Sequence, residues 1–178
     1  MDPVTMFERA AKGAVSMAGR VRPDQCHAPT PCSEWDVGAL LEHMVAGTGY
    51  LLTGMGLPVV AVGTDEVSYR SAVDRCVDAL GGNGALERMY MSPAGFEWSV
   101  GHAAAGTAMD QLVHTWDLAV AIGADRYLDP EVVEACVTLF VPEMPNVGRA
   151  AGFVGPEVAV PAGASARDRL LGAMGRHP

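Results

Sequence analysis

Apolar side chains return every three or four positions in several separate stretches of the chain, the spacing that puts them on one face of a helix. Met6, Ala10, Ala14, Met17 and Val21 predict a first helix from about Val4 to Val21. The proline-rich run "RPDQCHAPTPC" cannot continue it and reads as a loop. In "SEWD", Ser33 is a natural N-cap with Asp36 three residues on, so a second helix is expected from about Glu34 to Leu52, carrying Val37, Leu40, Leu41, Met44 and Val45 and ended by "TGMGLP". A third helix is expected from about Asp65 to Leu80, entered through Thr64 and closed by "GGNG". "ALERMYMSPAGFEWS" breaks the pattern and suggests a short strand and turn, as in a hairpin. A fourth helix follows from about Ala103 to Ile122 and stops at Gly123. Pro130 suits the first turn of a fifth, about Pro130 to Val141. "VPEMPNVGRAAGFVGPEVAVPAGAS" reads as a long Pro/Gly-rich loop, and "ARDRLLGAMG" as a last short helix. With neither a repeat nor a linker in view, the pattern predicts one mainly all-α domain spanning residues 1–178. Its expected core is an up-and-down four-helix bundle, with a short hairpin and extra helices towards the C-terminus.

Composition narrows the partners. The chain has 178 residues, 49% of them hydrophobic, which is enough for a sizeable core. Twelve basic against 21 acidic residues give a formal net charge of -9, and Lys12 is the sole lysine. Such a chain repels nucleic acid and anionic membranes unless it hides a basic patch, and no Lys/Arg cluster is present. "MDPVTMFERAAKG" is charged and amphipathic, unlike a signal peptide, and runs such as "ALLEHMVAG" are too short and interrupted to span a bilayer. A cytoplasmic location with reduced thiols at Cys26, Cys32, Cys76 and Cys136 is therefore expected.

The candidate chemistry lies in "DQLVHTWDLA" within the fourth helix, where Asp110, His114 and Asp117 fall on one face. Either this face is wet, or its groups hold something. Asp110 and His114, at i and i+4, have the spacing by which one helix presents two ligands to one ion. His43 on the second helix offers a third ligand. Its neighbours at 100° per residue are Ala39, Ala46, Gly47 and Tyr50, while Ala103, Gly106, Thr107 and Ala121 flank Asp110 and His114. These are mostly small residues, which leave room for a ligand. Two imidazoles and a carboxylate suit zinc, nickel, iron or manganese, and three protein ligands leave open positions. Asp117 is placed to accept the N–H of the other His114 nitrogen. It could equally pair with Arg126, and His43 could be an ordinary hydrogen-bonded histidine. Tyr50 reads as a packing residue with its hydroxyl at the rim, and Trp35 and Trp116 read as core or interface, with an aromatic wall over a cofactor as the alternative. His27 and His102 fall near helix starts, and His177 in a frayed tail. Cys26, His27 and Cys32 hint at a zinc knuckle but lack a fourth ligand at sensible spacing, and no G-x-S-x-G nucleophile elbow occurs.

"TPCSEWDVGALLEHMVAG" followed by "DQLVHTWDLAVAIGAD" resembles the mycothiol-dependent maleylpyruvate isomerase N-terminal domain family of the DinB-like superfamily, and "GPEVAVPAGASARDRLLGAMGRHP" resembles the tail of an actinobacterial metal-binding subgroup. The resemblance covers nearly the whole chain. It implies a four-helix bundle with a divalent metal, zinc foremost, held by His43, Asp110 and His114. The isomerase has the longer glutamate where this chain has Asp110, and a further C-terminal domain where this chain has a short tail. The implied activity is accordingly a mycothiol-dependent transfer or isomerisation of a small electrophile, with no general base assigned. The alternatives are a non-catalytic metal-dependent binding or stress-response module, and a bundle with a purely structural metal. The expected partners are a small-molecule thiol and an electrophile, with the chain a monomer or homodimer.

Overall fold

The computed structural model describes residues 1–178. It is mainly α-helical with one two-stranded hairpin. The elements are α1 (Pro3–Ala18), a 3-10 turn (Pro23–Gln25), α2 (Val37–Gly54), α3 (Glu66–Leu80), β1 (Met89–Met91), β2 (Glu97–Ser99), α4 (Val100–Ile122), α5 (Pro130–Leu139), α6 (Met144–Ala150) and α7 (Ala166–Ala173). Short acceptor side chains start most of the helices. Asp2, Asp36, Asp65, Ser99, Asp129 and Ser165 each take one or two orphan N–H groups in the first turn. Gly123 ends α4 with φ 69, the left-handed conformation that glycine reaches without strain.

Four helices form the core. α1 packs against α3 and α4, and α2 packs against the same two, so α1 and α2 lie on opposite corners of the bundle. Forty buried residues form one apolar cluster, including Phe7, Leu40, Met44, Tyr69, Leu112 and Leu118. Each fully buried side chain of this size stabilises the fold by roughly 1.5–3 kcal/mol relative to exposure, before chain entropy is counted. α4 is buried on nearly every side, the mark of a central helix. α5 packs against α7 and also touches α1 and α4. Arg9 of α1 grips the α5 cap, with Nε and Nη2 each 2.8 Å from the Asp129 carboxylate. The hairpin pairs Met89 with Ser99, Tyr90 with Trp98 and Met91 with Glu97 and leads directly into α4. No helix is long and apolar enough to cross a membrane.

α1 ends at Ala18 and not Val21, α4 begins at Val100 and not Ala103, and two further departures have a cause that can be traced. α2 is capped by Asp36, three residues after the expected Ser33. The cause lies upstream: the carbonyls of Ala28 and Cys26 accept the N–H groups of Val37 and Gly38 at 3.1 and 2.8 Å, while Asp36 takes that of Ala39 at 2.9 Å. With these first donors met by the preceding chain, residues 29–36 are pinched off as a loop, closed by a bridge between Pro29 and Asp36. The loop is held inside by Thr30, whose hydroxyl reaches the carbonyls of Cys32 and Trp35. The second departure is α6, inside the segment read as a continuous loop. Its seven residues include Pro145 and Gly148 and are too few to show a helical period.

Candidate metal centre

α4 carries five of the seven buried polar side chains in the molecule: Thr107, Gln111, His114, Thr115 and Asp117. A helix this deep gains nothing from polar groups unless they are paired, so the pairing is informative. Gln111 is fully buried and accepts from the Tyr69 hydroxyl of α3, while its amide donates to the Met44 carbonyl of α2 at 2.7 Å. Gly47 of α2 lies beside this bridge, where a Cβ would make an ordinary contact 3.4 Å from the Gln111 amide nitrogen. The two helices are thereby locked in register beside Asp110.

That register brings the three expected ligands together. The His43 Nε2 lies 3.2 Å from both oxygens of the Asp110 carboxylate, and the His114 Nε2 lies 3.3 Å from Oδ1. One donor atom from each residue falls within 4.8 Å of the others. Two ligands bound tetrahedrally to one zinc at the usual bond lengths sit about 3.3 Å apart, so the set needs little adjustment to close on an ion. A nitrogen, nitrogen and carboxylate donor set also fits a divalent metal of that class chemically. His43 and Asp110 are 36% and 33% exposed and His114 only 9%, so the cluster opens to solvent at His43 and Asp110, with His114 at its buried end.

The back of the site is closed. The His114 Nδ1 stands 2.9 Å from the Asp117 Oδ2, and Asp117 is fully buried. Arg176, in the segment after α7, forks onto that carboxylate with Nε 3.2 Å from Oδ1 and Nη2 2.7 Å from Oδ2. The Cys32 thiol lies 3.3 Å from Oδ2. Cys32, His114 and Asp117 form a second cluster with metal-ligating groups, but the Arg176 Nη2 is already 2.8 Å from the Cys32 sulfur. A guanidinium occupies the place a cation would take there.

Charge follows the same pattern. Burial favours a neutral Asp110, but the charge and hydrogen bond of His114 outweigh it and hold the carboxyl well below its usual range. Burial likewise favours a neutral His114, and Asp110 outweighs it, pushing the imidazole well above the ordinary histidine value. At Asp117, burial is outweighed by His114 and Arg176, and the carboxyl stays ionised.

The expected small-residue ledges are partly filled. Gly106 is seated against the Trp98 indole, which a Cβ would meet at 3.3 Å, and Ala103 is fully buried. Trp98 in turn donates to the Tyr50 hydroxyl at 3.2 Å, and that hydroxyl donates to the Met91 carbonyl. Gly106 thus serves hairpin packing. Trp35 is not merely core: its ring centroid lies 4.4 Å from that of His43 and 5.7 Å from that of His114, forming an aromatic wall beside the two imidazoles. The pinched loop 29–36 puts it there. Asp117 pairs with Arg176 and not with Arg126, whose guanidinium sits 5.8 Å from the Trp116 ring centroid. Cys32 points to Asp117, away from any knuckle with His27, which is 3.1 Å from Asp36. Arg176 and Cys32 carry no local signal, because each meets α4 only through tertiary folding.

The chain is 30% identical over 136 residues, 74% of its own length and 74% of theirs, to "Uncharacterized protein MT0763" of Mycobacterium tuberculosis strain CDC 1551 / Oshkosh and to "Uncharacterized protein Rv0738" of strain ATCC 25618 / H37Rv. No family model matches the chain, and no solved structure does.

Proposed function

We propose that this chain, which belongs to the family of the Mycobacterium tuberculosis proteins Rv0738 and MT0763, is a divalent-metal-binding protein that uses a small thiol as cosubstrate. The observation that carries the reading is the meeting of His43 from α2 with Asp110 and His114 from α4, all three donor atoms within 4.8 Å. His43 Nε2, the Asp110 carboxylate and His114 Nε2 would hold the ion, with Asp117 fixing the His114 ring from behind. When bound, a divalent ion with an open position lowers the pKa of a thiol and supplies thiolate at neutral pH.

The chain's own residues do the rest. α2 and α4 present the ligands, Gln111 keeps the two helices in register, and Trp35 packs beside His43 while His43 and Asp110 face solvent. The resemblance to the mycothiol-dependent isomerase domain and the DinB-like superfamily supports mycothiol as the thiol, and a transferase or isomerase acting on a small electrophile. A purely structural metal is disfavoured, since forty buried residues already form a continuous core without it and the ligand face is open. A metal-dependent binding module without turnover uses the same site.

The test is thiol binding with and without metal. Zinc-loaded protein should bind mycothiol measurably, and metal-free protein and the zinc-treated His114→Ala variant should not. Equal binding by loaded and metal-free protein would overturn the thiol reading.

A further inference from the structure

We infer that Arg176 is a positioning residue for the metal centre, acting through Asp117 on the ring of His114. The inference rests on the metal-binding reading above and assigns to the segment after α7 a part in the site. Asp117 is the only carboxylate behind His114, and it has no exposure to water. Its Oδ2 meets the His114 Nδ1 at 2.9 Å and the Arg176 Nη2 at 2.7 Å, while Oδ1 meets the Arg176 Nε at 3.2 Å. The two-pronged contact fixes the plane of the carboxylate, which a single point charge would not. A fixed carboxylate accepts the Nδ1–H of His114 in one orientation, and this leaves Nε2 directed at Asp110 and His43.

Arg176 is itself held from several sides. Its Nη1 donates to the Met174 carbonyl at 2.6 Å and its backbone N–H to the Leu171 carbonyl at 2.8 Å. Gly175, with φ 81, makes the turn that aims it, and a Cβ there would stand 3.0 Å from the Pro156 carbonyl oxygen. The side chain is 11% exposed, so the guanidinium is a built part of the interior and not a surface ion pair. Removing it would leave Asp117 buried with a charge that only His114 opposes, and the carboxylate would be free to turn towards the Cys32 thiol, 3.3 Å away.

The experiment measures zinc affinity by chelator competition and the visible spectrum of the cobalt(II)-loaded protein, with helicity followed by circular dichroism. Arg176→Met should weaken zinc by roughly ten- to a hundredfold and change the cobalt bands, as Asp117→Asn should. The double variant should bind no more weakly than Asp117→Asn alone, because both changes break one relay. Gly175→Ala keeps the guanidinium but spoils its aim, and should weaken zinc in the same sense. Should Arg176→Met lose its helicity, Arg176→Lys keeps the charge without the fork, and is expected to recover part of the affinity while its cobalt spectrum still differs from wild type. Wild-type zinc affinity and cobalt spectra in the Arg176 variants would overturn the inference while leaving the metal site standing, as would full additivity of Arg176→Met with Asp117→Asn. If the unaltered protein binds no zinc, the metal reading itself falls and takes this one with it.

Discussion

Replacing Gln111 by Leu tests whether the register of α2 and α4 rests on the buried polar bridge. The change keeps nearly the same volume, so the main loss is hydrogen bonding. The Tyr69 hydroxyl, fully buried, loses its only partner, and the Met44 carbonyl loses the amide 2.7 Å away. A stranded buried donor costs about 1–3 kcal/mol, and the carbonyl, which keeps its own helix bond, costs less. The expected total is roughly 2–4 kcal/mol. For a chain of this size that lowers the melting temperature by about 2–4 °C per kcal/mol, or roughly 5–15 °C altogether. Tyr69→Phe alone should cost about 1–3 kcal/mol, because it strands the Gln111 oxygen in turn. The double variant removes both stranded groups and should be more stable than the sum of the singles implies, with a coupling of about 0.5–3 kcal/mol. Urea or thermal unfolding of the metal-free proteins measures all three. Strict additivity, or single losses under about 0.5 kcal/mol, would refute the bridge as the element that holds the helices in register.

Zinc binding should release a proton. Burial favours a neutral His114, but in the metal-free protein Asp110 outweighs it and keeps the ring charged above the usual histidine range, whereas an ion needs the neutral nitrogen. Affinity should therefore rise with pH through the neutral range, up to about tenfold per unit while one proton is displaced, and a flat profile from titrations in several buffers would contradict the pairing. Gly106→Val should push the Trp98 ring off α4 and disturb its bond to Tyr50, costing about 1–3 kcal/mol, and unchanged tryptophan fluorescence and stability would show that the glycine has another role. Changing Cys26 and Cys32 together to Ser should leave zinc stoichiometry unchanged, since the Arg176 guanidinium and not an ion fills the space beside the Cys32 sulfur; loss of one zinc per chain would restore the cysteines as ligands.

The elements legible in the sequence were those whose cause is local. α4 could be read because it is a long proline-free run ended by Gly123, although it begins at Val100 and not at the expected Ala103, and the hairpin because "SPAG" places a turn between two short apolar stretches. The candidate ligand set was readable for a related reason: Asp110 and His114 share a helix face by spacing alone, and His43 stood among small neighbours on the second helix, a choice that the resemblance then reinforced. The start of α2 was misread because its donors are met by the carbonyls of Cys26 and Ala28, whose approach no capping pattern records. Arg176 lies 59 residues from Asp117 and Cys32 lies 85 residues before it, so their convergence appears only once α7 and the loop 29–36 are packed. The small residues were legible as small, but not as to cause. Gly106 admits Trp98, and Gln111 lies against Gly47, so the space they leave is largely taken by the protein itself.

On the reading proposed above, α2 and α4 together hold one divalent ion. Elemental analysis of protein purified, stripped and reloaded with zinc tests it most directly, alongside His43→Ala, Asp110→Ala and His114→Ala treated in the same way. About one zinc per chain is expected for the unaltered protein, and far less for each variant with helicity retained, since three ligands define the site and most of the bundle's stability lies in its apolar core. An unaltered protein that takes up no zinc, or three variants that each retain a full equivalent, would rule out a metal centre at His43, Asp110 and His114.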